Sequence, residues 1–521
     1  MRQNKDLVKK EDKLFLNKYY TRLYKIISEE IKTGKYKGLP KIGMEKTHYN
    51  IKSLQILSGI SLLGVRLNDQ KLINYAKEKM LLSAQHQRKD GYFFTDKYSL
   101  KKDYAKANVQ FLGIEFMNSY ELIKTEFSAP QKKIFKRMIK KSIEYGLKTM
   151  NPLKEINQLT SAALLMRQYS EEFGGFEKEY ISLKKNILNQ QLLDGSWYEK
   201  WEAPGVDILY LTLQLAYLSR LEDFDKDKKI LTGLTKGLEF LKQIILNHEI
   251  DISMSKRWLP MTPMAKKFVV YALAKSNYNQ FENYIDNVLN NPQDNDLYYC
   301  IRALEEKLNQ KGKLKIKRGK GLITNNFEII NKNNLRLTIG KGPIRISGAQ
   351  ITSIYYKSKG WVLQQLPIGK HELPKKCTQI RVELQNGIIL NSSLDQYALL
   401  NNSKMEVKGT LRVEDKKFIH TPFGHYDVSN ATYDANFIQK YSFKPNKIIC
   451  ESQILFGNKV KVKAAYSQIP IMCGKINSNK PIKITNEKGI YGQVKLHKIF
   501  FLKNKSVSKG ETYKQTFEII Y

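Results

Sequence analysis

The feature that most limits how this 521-residue chain can fold is a set of helical segments that are apolar nearly all round. Five of them begin roughly 50 to 57 residues apart within the first 310 residues. A helix without a polar face has to be buried on every side, so other helices must cover it. These segments begin at or near Ile51, Asn108, Asn157, Val206 and Pro263.

Amphipathic helices with one Lys- and Glu-rich face alternate with these segments, as in residues 72–82, 131–147 and 229–245. A one-sided helix covers a neighbour and exposes its polar face to solvent. Alternation of the two kinds at a nearly fixed period indicates stacked helical hairpins. They can form an open solenoid or an α/α toroid with parallel inner helices. About six hairpins fit into the segment, which favours a toroid that closes or nearly closes.

A shorter motif occurs twice between an amphipathic helix and the next apolar one. Residues 87–93 and residues 191–197 both read Gln-x-x-Asp-Gly-x-aromatic. Asp-Gly ends a helix because glycine adopts the left-handed conformation without strain. Two interpretations stay open for the motif: a structural corner that holds neighbouring hairpins together, or a turn whose aromatic residue lines a binding site.

Residues 321–521 follow a different pattern. Segments that alternate apolar and polar residues, such as 335–339 and 378–384, are separated by turns rich in Asn, Gly, Ser and Lys. Such alternation is typical of antiparallel strands with one buried face. We therefore predict an α+β multidomain chain with an N-terminal α/α toroid domain over 1–310, a basic linker over 311–320 and a C-terminal antiparallel β-sandwich domain over 321–521.

The chain carries 88 Lys and Arg against 50 Asp and Glu, a net charge of +38. Lysine supplies most of this excess, since 14 of the basic residues are arginine. Lysine is a hydrated point charge, whereas arginine suits bidentate recognition of bases and phosphates. The charge therefore predicts attraction of polyanions such as an acidic polysaccharide more than sequence-specific binding of nucleic acid. A coding bias towards Lys, Asn and Ile is the alternative explanation.

Targeting signals are weak in this sequence. It contains no run of about 18 apolar residues, so no membrane-spanning helix is predicted. The first 20 residues have no continuous apolar region and no small-residue cleavage site. This pattern predicts a cytoplasmic protein, or an exported one whose leader has been removed.

The segments that enter the apolar helices contain the residue types that bind carbohydrates. If these helices are parallel, their N-terminal ends meet at one rim, where free N–H groups and the positive end of the helix dipole favour an anion. Trp and Tyr rings stack on sugars, while Asn, Gln, His and Arg bind hydroxyl and carboxylate groups. Packing or helix capping is the alternative for each one. The predicted rim residues are His48, Tyr49, Asn50, Asn157, Gln158, Trp197, Trp201, Arg257 and Trp258.

Two further groups are candidates for proton transfer. Tyr210 lies one turn into the most apolar helix, so its phenol either faces a cavity or belongs to the core. His420 and His425 form the densest polar and aromatic cluster of the β half, with Asp427 close by. A divalent metal could bind two such histidines, but no third and fourth ligand can be assigned, so no cofactor is predicted.

This architecture resembles the polysaccharide lyases that combine a toroid with a β-sandwich, of which the heparinase II/III-like group is nearest. The resemblance covers the whole chain in architecture. That family has Asn-Asn-His at the start of an inner helix, where this chain reads Ile156-Asn157-Gln158. The Asp194-Gly195 corner and the helix that carries Tyr210 are also similar.

The resemblance implies β-elimination on a uronate-containing polysaccharide. Asn157, Gln158 or Arg257 would neutralise the uronate carboxylate so that the neighbouring proton becomes acidic. A base would then remove that proton and an acid would protonate the departing glycosidic oxygen. Tyr210, His48, His420 and His425 are the candidates for these two roles.

Three other functions stay open. A uronyl epimerase shares the same proton abstraction. A glycoside hydrolase needs two carboxylates in one cleft, for which Asp194, Glu199, Glu202 and Asp207 are available. A non-catalytic protein that binds polyanions or polysaccharides is favoured by the lysine excess and by Gln158 at the position of the family's histidine.

Overall fold

The computed structural model describes helices and strands through most of the chain. The described residues are 17, 20–21, 37–38, 54, 56–93, 104–150, 156–199, 205–246, 249–252, 262–290, 297–309, 321–323, 327–332, 334–340, 351–364, 378–392, 397–401, 403–413, 418–419, 425–426, 432–488 and 493–521.

Ten α-helices are described before residue 310. None of these helices is both long and apolar enough to cross a membrane. They are α1 (Leu57–Leu67), α2 (Gln70–Gln85), α3 (Tyr104–Ile123), α4 (Ala129–Thr149), α5 (Ile156–Phe173), α6 (Glu177–Asn189), α7 (Ile208–Asp225), α8 (Lys228–Ile244), α9 (Thr262–Asn290) and α10 (Leu297–Asn309).

Buried and one-sided helices alternate, as the sequence predicts. The first eight residues of α1 are all buried, whereas α4 buries one face and exposes a basic one. Helix α3 packs against both α1 and α5, which places the buried helices side by side. The last helix, α10, packs against α1 as well as α9, so the two ends of the described series meet. This arrangement is an α/α toroid. Its inner helices are α1, α3, α5, α7, the part of α9 before the non-helical residue Asn277, and α10, whose first five residues are all buried.

The repeated motif forms two corners of the same geometry. The first corner (residues 87–93) follows α2, and the second corner (residues 191–197) follows α6. In the first, the amide nitrogen of Gln87 donates hydrogen bonds to the carbonyls of Gly91 and Met138, at 3.0 and 2.9 Å. In the second, Gln191 donates to Gly195 and Gly233 at 2.9 and 2.8 Å. Each corner is therefore fixed to the next outer helix, α4 or α8.

The corner glycines are required by space as well as by conformation. Gly91 and Gly195 have φ values of +97° and +90°. A Cβ atom at Gly195 would overlap the carbonyl oxygen of Lys236 in α8, and one at Gly91 would overlap that of Lys141 in α4. The outer helix therefore approaches the backbone of the corner too closely for any side chain.

The second half of the chain forms one large antiparallel sheet. Its strands are β5 (Gly321–Ile323), β6 (Phe327–Lys332), β7 (Leu335–Gly340), β8 (Ile351–Tyr356), β9 (Gly360–Gln364), β10 (Gln379–Leu384), β11 (Ile389–Asn391), β12 (Tyr397–Asn401), β13 (Lys404–Val413), β16 (Thr432–Lys444), β17 (Lys447–Phe456), β18 (Val460–Ile471), β19 (Lys475–Ser478), β20 (Ile482–Lys488), β21 (Gln493–Val507) and β22 (Thr512–Ile520). Their hydrogen-bonded path runs β19-β22-β17-β16-β13-β11-β10-β18-β9-β8-β7-β6-β5, with β12 on β13 and β20 joined through β21 to β18. The remaining strands are two-residue pairs: β1 (Tyr198–Glu199) with β2 (Gly205–Val206), β3 (Ile245–Leu246) with β4 (Glu249–Ile250), and β14 (Phe418–Ile419) with β15 (His425–Tyr426).

The sheet closes over its own apolar face. Buried residues alternate with exposed or half-buried ones along most of β16 and along β17, as expected for strands with one covered face. Phe437 and Ile454 on these strands share one hydrophobic cluster with Val382 of β10, Val462 of β18 and Ile499 of β21. Strands far apart along the path thus face one another across a common core, which is the arrangement of a β-sandwich.

The chain divides into two compact units. The helical unit comprises Met1–Tyr198, Leu209–Ile250 and Met261–Lys317, and the sheet unit comprises Glu199–Ile208, Asp251–Pro260 and Arg318–Tyr521. Two short segments between helices thus belong to the sheet unit. Asp251 anchors one of them, because its buried carboxylate accepts hydrogen bonds from Thr338 and Ser353 at 2.8 and 3.0 Å. Burial lowers the pKa of the nearby Arg336 to about 10, against the attraction of Asp251.

We predict that Gly195→Ala lowers the free energy of unfolding by at least about 2 kcal/mol, because the new methyl group overlaps the backbone of α8. Gly174→Ala is the matched control, since Gly174 has φ +72° but no atom near its absent Cβ. It should cost about 1 kcal/mol from backbone strain alone. Urea unfolding measures both values. Equal losses in the two variants would contradict the close approach of α8 to the second corner.

Candidate active site

Three of the inner helices, α3, α5 and α7, begin at a common end of the helical unit. Two hydrogen bonds join α3 to α5: Ser161 to Gln110 at 2.9 Å, and Gln168 to Asn118 at 2.8 Å. Both pairs advance along the two helices in the same direction, so α3 and α5 are parallel. Their first turns therefore lie at the same end, which we call the rim. Contacts from α3 to α7 follow the same order, with Phe111 near Tyr217 and, further along, Glu121 paired with Arg220.

Asn157 occupies the second position of α5 and is 4% exposed. Its Oδ1 accepts a hydrogen bond from the backbone N–H of Gln158 at 2.9 Å. The amide oxygen is thereby engaged with the helix, and Nδ2 is the donor end of the side chain. The first turn of a helix also carries N–H groups without intrahelical partners, which favours an anionic ligand.

A buried polar pair fixes the turn that carries Asn157. The Ser161 hydroxyl lies 2.9 Å from both Oε1 of Gln110 and the carbonyl oxygen of Gln158. Gln110 is 2% exposed, and its amide nitrogen packs against Gly146 of α4 so closely that a Cβ there would clash. The first turn of α5 is therefore held against both α3 and α4.

Tyr210 is the third residue of α7, within its first turn, and is half-buried. Asp207, directly before α7, is 1% exposed. Asn157 and Tyr210 thus lie in the first turns of two successive inner helices. An amide and a phenol at these positions could bind a carboxylate and exchange a proton, respectively.

Trp197 has a structural place in the second corner. It is 2% exposed, its indole N–H donates to the carbonyl of Ile187 at 2.9 Å, and it packs against Gly237 of α8. A ring with so little exposed surface cannot stack on a sugar. We therefore assign Trp197 to the corner rather than to the substrate contacts.

The carboxylate of Asp194 is engaged in the same corner. It accepts hydrogen bonds from the backbone N–H and the hydroxyl of Ser196, at 2.8 and 2.6 Å. The carboxylate of Asp90 likewise accepts from the N–H of Tyr92 in the first corner, at 3.2 Å. Both aspartates thus stabilise the turn that they precede.

Other predicted residues fall outside the described part of the chain, or have only their backbone described. Backbone alone is described for His425, in β15, and for Glu199, in β1. Among the described residues, no three His, Cys, Asp or Glu side chains are placed to hold a metal ion. Outside the described residues lie His48, Tyr49, Asn50, Trp201, Glu202, Arg257, Trp258 and His420.

A second polar cluster lies further along the inner helices. Arg220 of α7 is 2% exposed and pairs with Glu121 and Asp223, each at 2.9 Å. The hydroxyl of Tyr271 in α9 also donates to Asp223, at 2.8 Å. Burial raises the pKa of Asp223, but Arg220 and Lys275 outweigh it and hold that pKa below its ordinary value. Arg220 therefore stays charged and links α3 and α7.

Glu115 of α3 lies near this cluster, and its raised pKa is not predicted by the sequence. It is 3% exposed, and burial raises its pKa to about 8, against a hydrogen bond from Ser58 and the attraction of Arg220. Glu115 therefore carries a proton at neutral pH. In the sequence, Glu115 is the one acidic residue within the otherwise apolar segment that begins near Asn108. Apolar periodicity predicts that this segment is a buried helix, but it does not predict the protonation of Glu115.

Replacing Glu115 tests this assignment. Between pH values of about 4.5 and 8 the Glu115 carboxyl group is protonated more in the folded protein than in the unfolded chain, so its contribution to the free energy of unfolding falls as pH rises. We predict that Glu115→Gln removes this loss, which is on the order of a few kcal/mol. Urea unfolding at about pH 5 and pH 9 measures it. Glu144→Gln, at an exposed position, should keep the wild-type slope, and an unchanged slope in Glu115→Gln would contradict the assignment.

No family profile and no curated protein match this sequence. The structure is similar to the Streptomyces coelicolor A3 chondroitin AC lyase in complex with chondroitin sulphate, with a TM-score of 0.58 and 8% identity, over 99% of this chain and 80% of that one. It is also similar to heparinase III, with a TM-score of 0.51 and 9% identity, over 94% and 80% of the two chains. At such identities the likeness shows the fold alone. This chain therefore has the predicted fold, the α/α toroid and antiparallel β-sandwich of chondroitinase- and heparinase-like polysaccharide lyases.

Proposed function

We propose that this protein is a polysaccharide lyase that cleaves a uronate-containing acidic polysaccharide by β-elimination at the rim of the helical unit. The observation that carries the proposal is the likeness, over nearly the whole chain, to a chondroitin AC lyase and to heparinase III. The chondroitin AC lyase is in complex with chondroitin sulphate, an acidic polysaccharide. Fold alone does not fix an activity, so the proposal also has to rest on the rim residues.

Asn157 and Gln158 are assigned to the uronate carboxylate. Removal of the neighbouring proton needs the carboxylate charge to be neutralised by donors that are already in position. The side-chain amide of Asn157, in the first turn of α5, is the proposed donor to this carboxylate. The first-turn N–H groups of α5 add positive partial charge. Arg257, outside the described residues, is proposed as a further cation at the same carboxylate.

Tyr210 is assigned to proton transfer. As a phenolate it would take the proton from C5 of the uronate, and as a phenol it would then protonate the departing glycosidic oxygen. The bond from C4 to that oxygen breaks, a double bond forms between C4 and C5, and no water is consumed. His48, His420 and His425 are the alternative proton carriers.

A non-catalytic polysaccharide-binding protein is the second candidate. The specific observation in its favour is Gln158, a group that cannot take up a proton, at the position of the histidine in the resembled family. Such a protein would have the same fold and charge, and Asn157 would still bind the carboxylate, but no residue would transfer a proton. A hydrolase has less support, because the carboxylate of Asp194 is engaged in the second corner.

We predict that the wild-type protein, incubated with a panel of uronate-containing polysaccharides, raises the ultraviolet absorbance of an unsaturated uronate with at least one of them. Tyr210→Phe should lower the rate at least 100-fold or so, because the proton carrier is lost. Asn157→Ala should lower it by about 10²- to 10³-fold, because a donor to the developing charge is lost.

The matched control is Tyr217→Phe, which removes a hydroxyl from a buried tyrosine two turns further along α7. It should keep the wild-type rate. Salt-sensitive binding of the panel without any absorbance change would overturn the lyase proposal and favour the non-catalytic protein. A wild-type rate in Tyr210→Phe would overturn the assignment of Tyr210 alone.

A further inference from the structure

The outer face of α4 is densely basic. The helix buries Phe135, Met138 and Ile139 and turns its opposite face to solvent. Of its 21 residues, all of them described, seven are basic and one, Glu144, is acidic. The basic residues are exposed apart from Lys141, which is half-buried. They are Lys132, Lys133, Lys136, Arg137, Lys140, Lys141 and Lys148.

These charges stand in rows that repel one another. Residues four apart on a helix are neighbours on its surface, and like charges at that spacing cost about 0.2–0.5 kcal/mol per pair. Lys132, Lys136 and Lys140 form one such row, and Lys133, Arg137 and Lys141 form the next. Within the helix, one carboxylate lies close to these rows: Oε1 of Glu144 is 3.8 Å from Nζ of Lys140. The face thus keeps its charge at some cost in stability.

The first corner adds two more cations beside this helix. Hydrogen bonds from Gln87 to Met138 and to the hydroxyl of Ser142 fix the corner on α4, and the corner exposes Arg88 and Lys89 there. Arg88 pairs with Asp90 of the same corner at 2.8 Å.

The second corner shows that these cations are not needed for the turn. It has the same bridge, the same backbone hydrogen bonds and the same glycine conformation, but it carries Leu192 and Leu193 at the two positions. Leu193 is fully exposed. The basic pair of the first corner is therefore specific to the side of the unit where α4 lies.

The charge difference between the two sides is large. The first corner and α4 together carry nine basic and two acidic side chains. The second corner and α8, which occupy the equivalent places in the repeat, carry four basic and two acidic ones. The positive charge of the described helical unit is therefore concentrated on one outer helix and its corner.

The chemistry of this surface suits a polysaccharide better than a membrane or a nucleic acid. Ile134, 39% exposed, is the one large apolar side chain that α4 exposes, so little apolar area is available to enter a lipid bilayer. Tyr92 is buried and Tyr145 is half-buried, so neither offers an exposed ring on which a base could stack. Lysine dominates the surface, and it binds sulfate and carboxylate groups as a point charge.

The surface leads to the rim. Thr149 ends α4, and the sulfur of the following Met150 lies 4.0 Å from the amide nitrogen of Gln110, the residue that holds the first turn of α5. We propose that the outer face of α4 and the first corner bind an acidic polysaccharide chain outside the rim and guide it towards Asn157. This inference rests on the proposed function, since it takes the same class of ligand.

The experiment compares two variants that each lose four positive charges from exposed positions. Affinity for fluorescently labelled long-chain heparin and chondroitin sulfate is measured by anisotropy at low and at physiological salt. Turnover of a short uronate-containing tetrasaccharide is measured alongside. The first variant is Lys89→Gln, Lys133→Gln, Arg137→Gln and Lys140→Gln, and the control, on α6 and α8, is Lys178→Gln, Lys185→Gln, Lys228→Gln and Lys236→Gln.

The α4 variant should bind at least one of the two long chains roughly tenfold more weakly, and with a smaller salt dependence, while the control changes affinity less than about twofold. Turnover of the tetrasaccharide should be unchanged in both variants. Equal losses of affinity in the two variants, or no binding by the wild-type protein, would overturn the proposal. So would a loss of duplex DNA binding, or of binding to vesicles containing anionic lipid, without a loss of polysaccharide binding.

The binding measurement needs no catalysis, so it separates this inference from the proposed activity. A protein that binds through α4 but forms no unsaturated product would disprove the lyase and keep the surface. A protein that cleaves the tetrasaccharide but binds long chains equally in both variants would disprove the surface and keep the lyase.

Discussion

The helical unit depends on the spacing that two glutamine side chains impose between neighbouring outer helices. Gln87 joins the end of α2 to α4, and Gln191 joins the end of α6 to α8. A glycine in each corner allows the outer helix to approach the corner backbone without a side chain between them. With the outer helices fixed, the hydrogen bonds between α3 and α5 set the height at which these inner helices begin. The rim, with Asn157 in its place, follows from that register.

The fold could be predicted because its signals are local and repeated. A helix that is apolar all round must be inside, and five of them at a near-constant period require a repeating arrangement. The corners were visible for the same reason, since they recur as a short motif. The strand order of the sheet was not predictable in this way. The pairing of β18 with β9 and β10 joins segments far apart in sequence, and alternation within a strand does not specify its partner.

The rim was predicted in part. Asn157 and Tyr210 could be predicted to lie near helix starts, because apolar periodicity locates where a helix begins. The burial of Trp197 was not predictable, because it depends on Gly237 of α8, a contact that no local pattern indicates. Glu115 shows the same limit. Its helix was recognised as buried, but the proton that it carries depends on the burial of the carboxyl group itself, which outweighs the hydrogen bond from Ser58 and the attraction of Arg220.

The central claim is that the rim breaks a glycosidic bond by elimination, and the masses of the products test it most directly. A uronate-containing hexasaccharide, incubated with the wild-type protein, is analysed by mass spectrometry. For β-elimination the product masses sum to that of the substrate, and one product carries the unsaturated uronate. A summed product mass that exceeds the mass of the substrate by one water would indicate hydrolysis. An uncleaved substrate would indicate an epimerase or a binding protein. Either of these two results would contradict elimination at the rim.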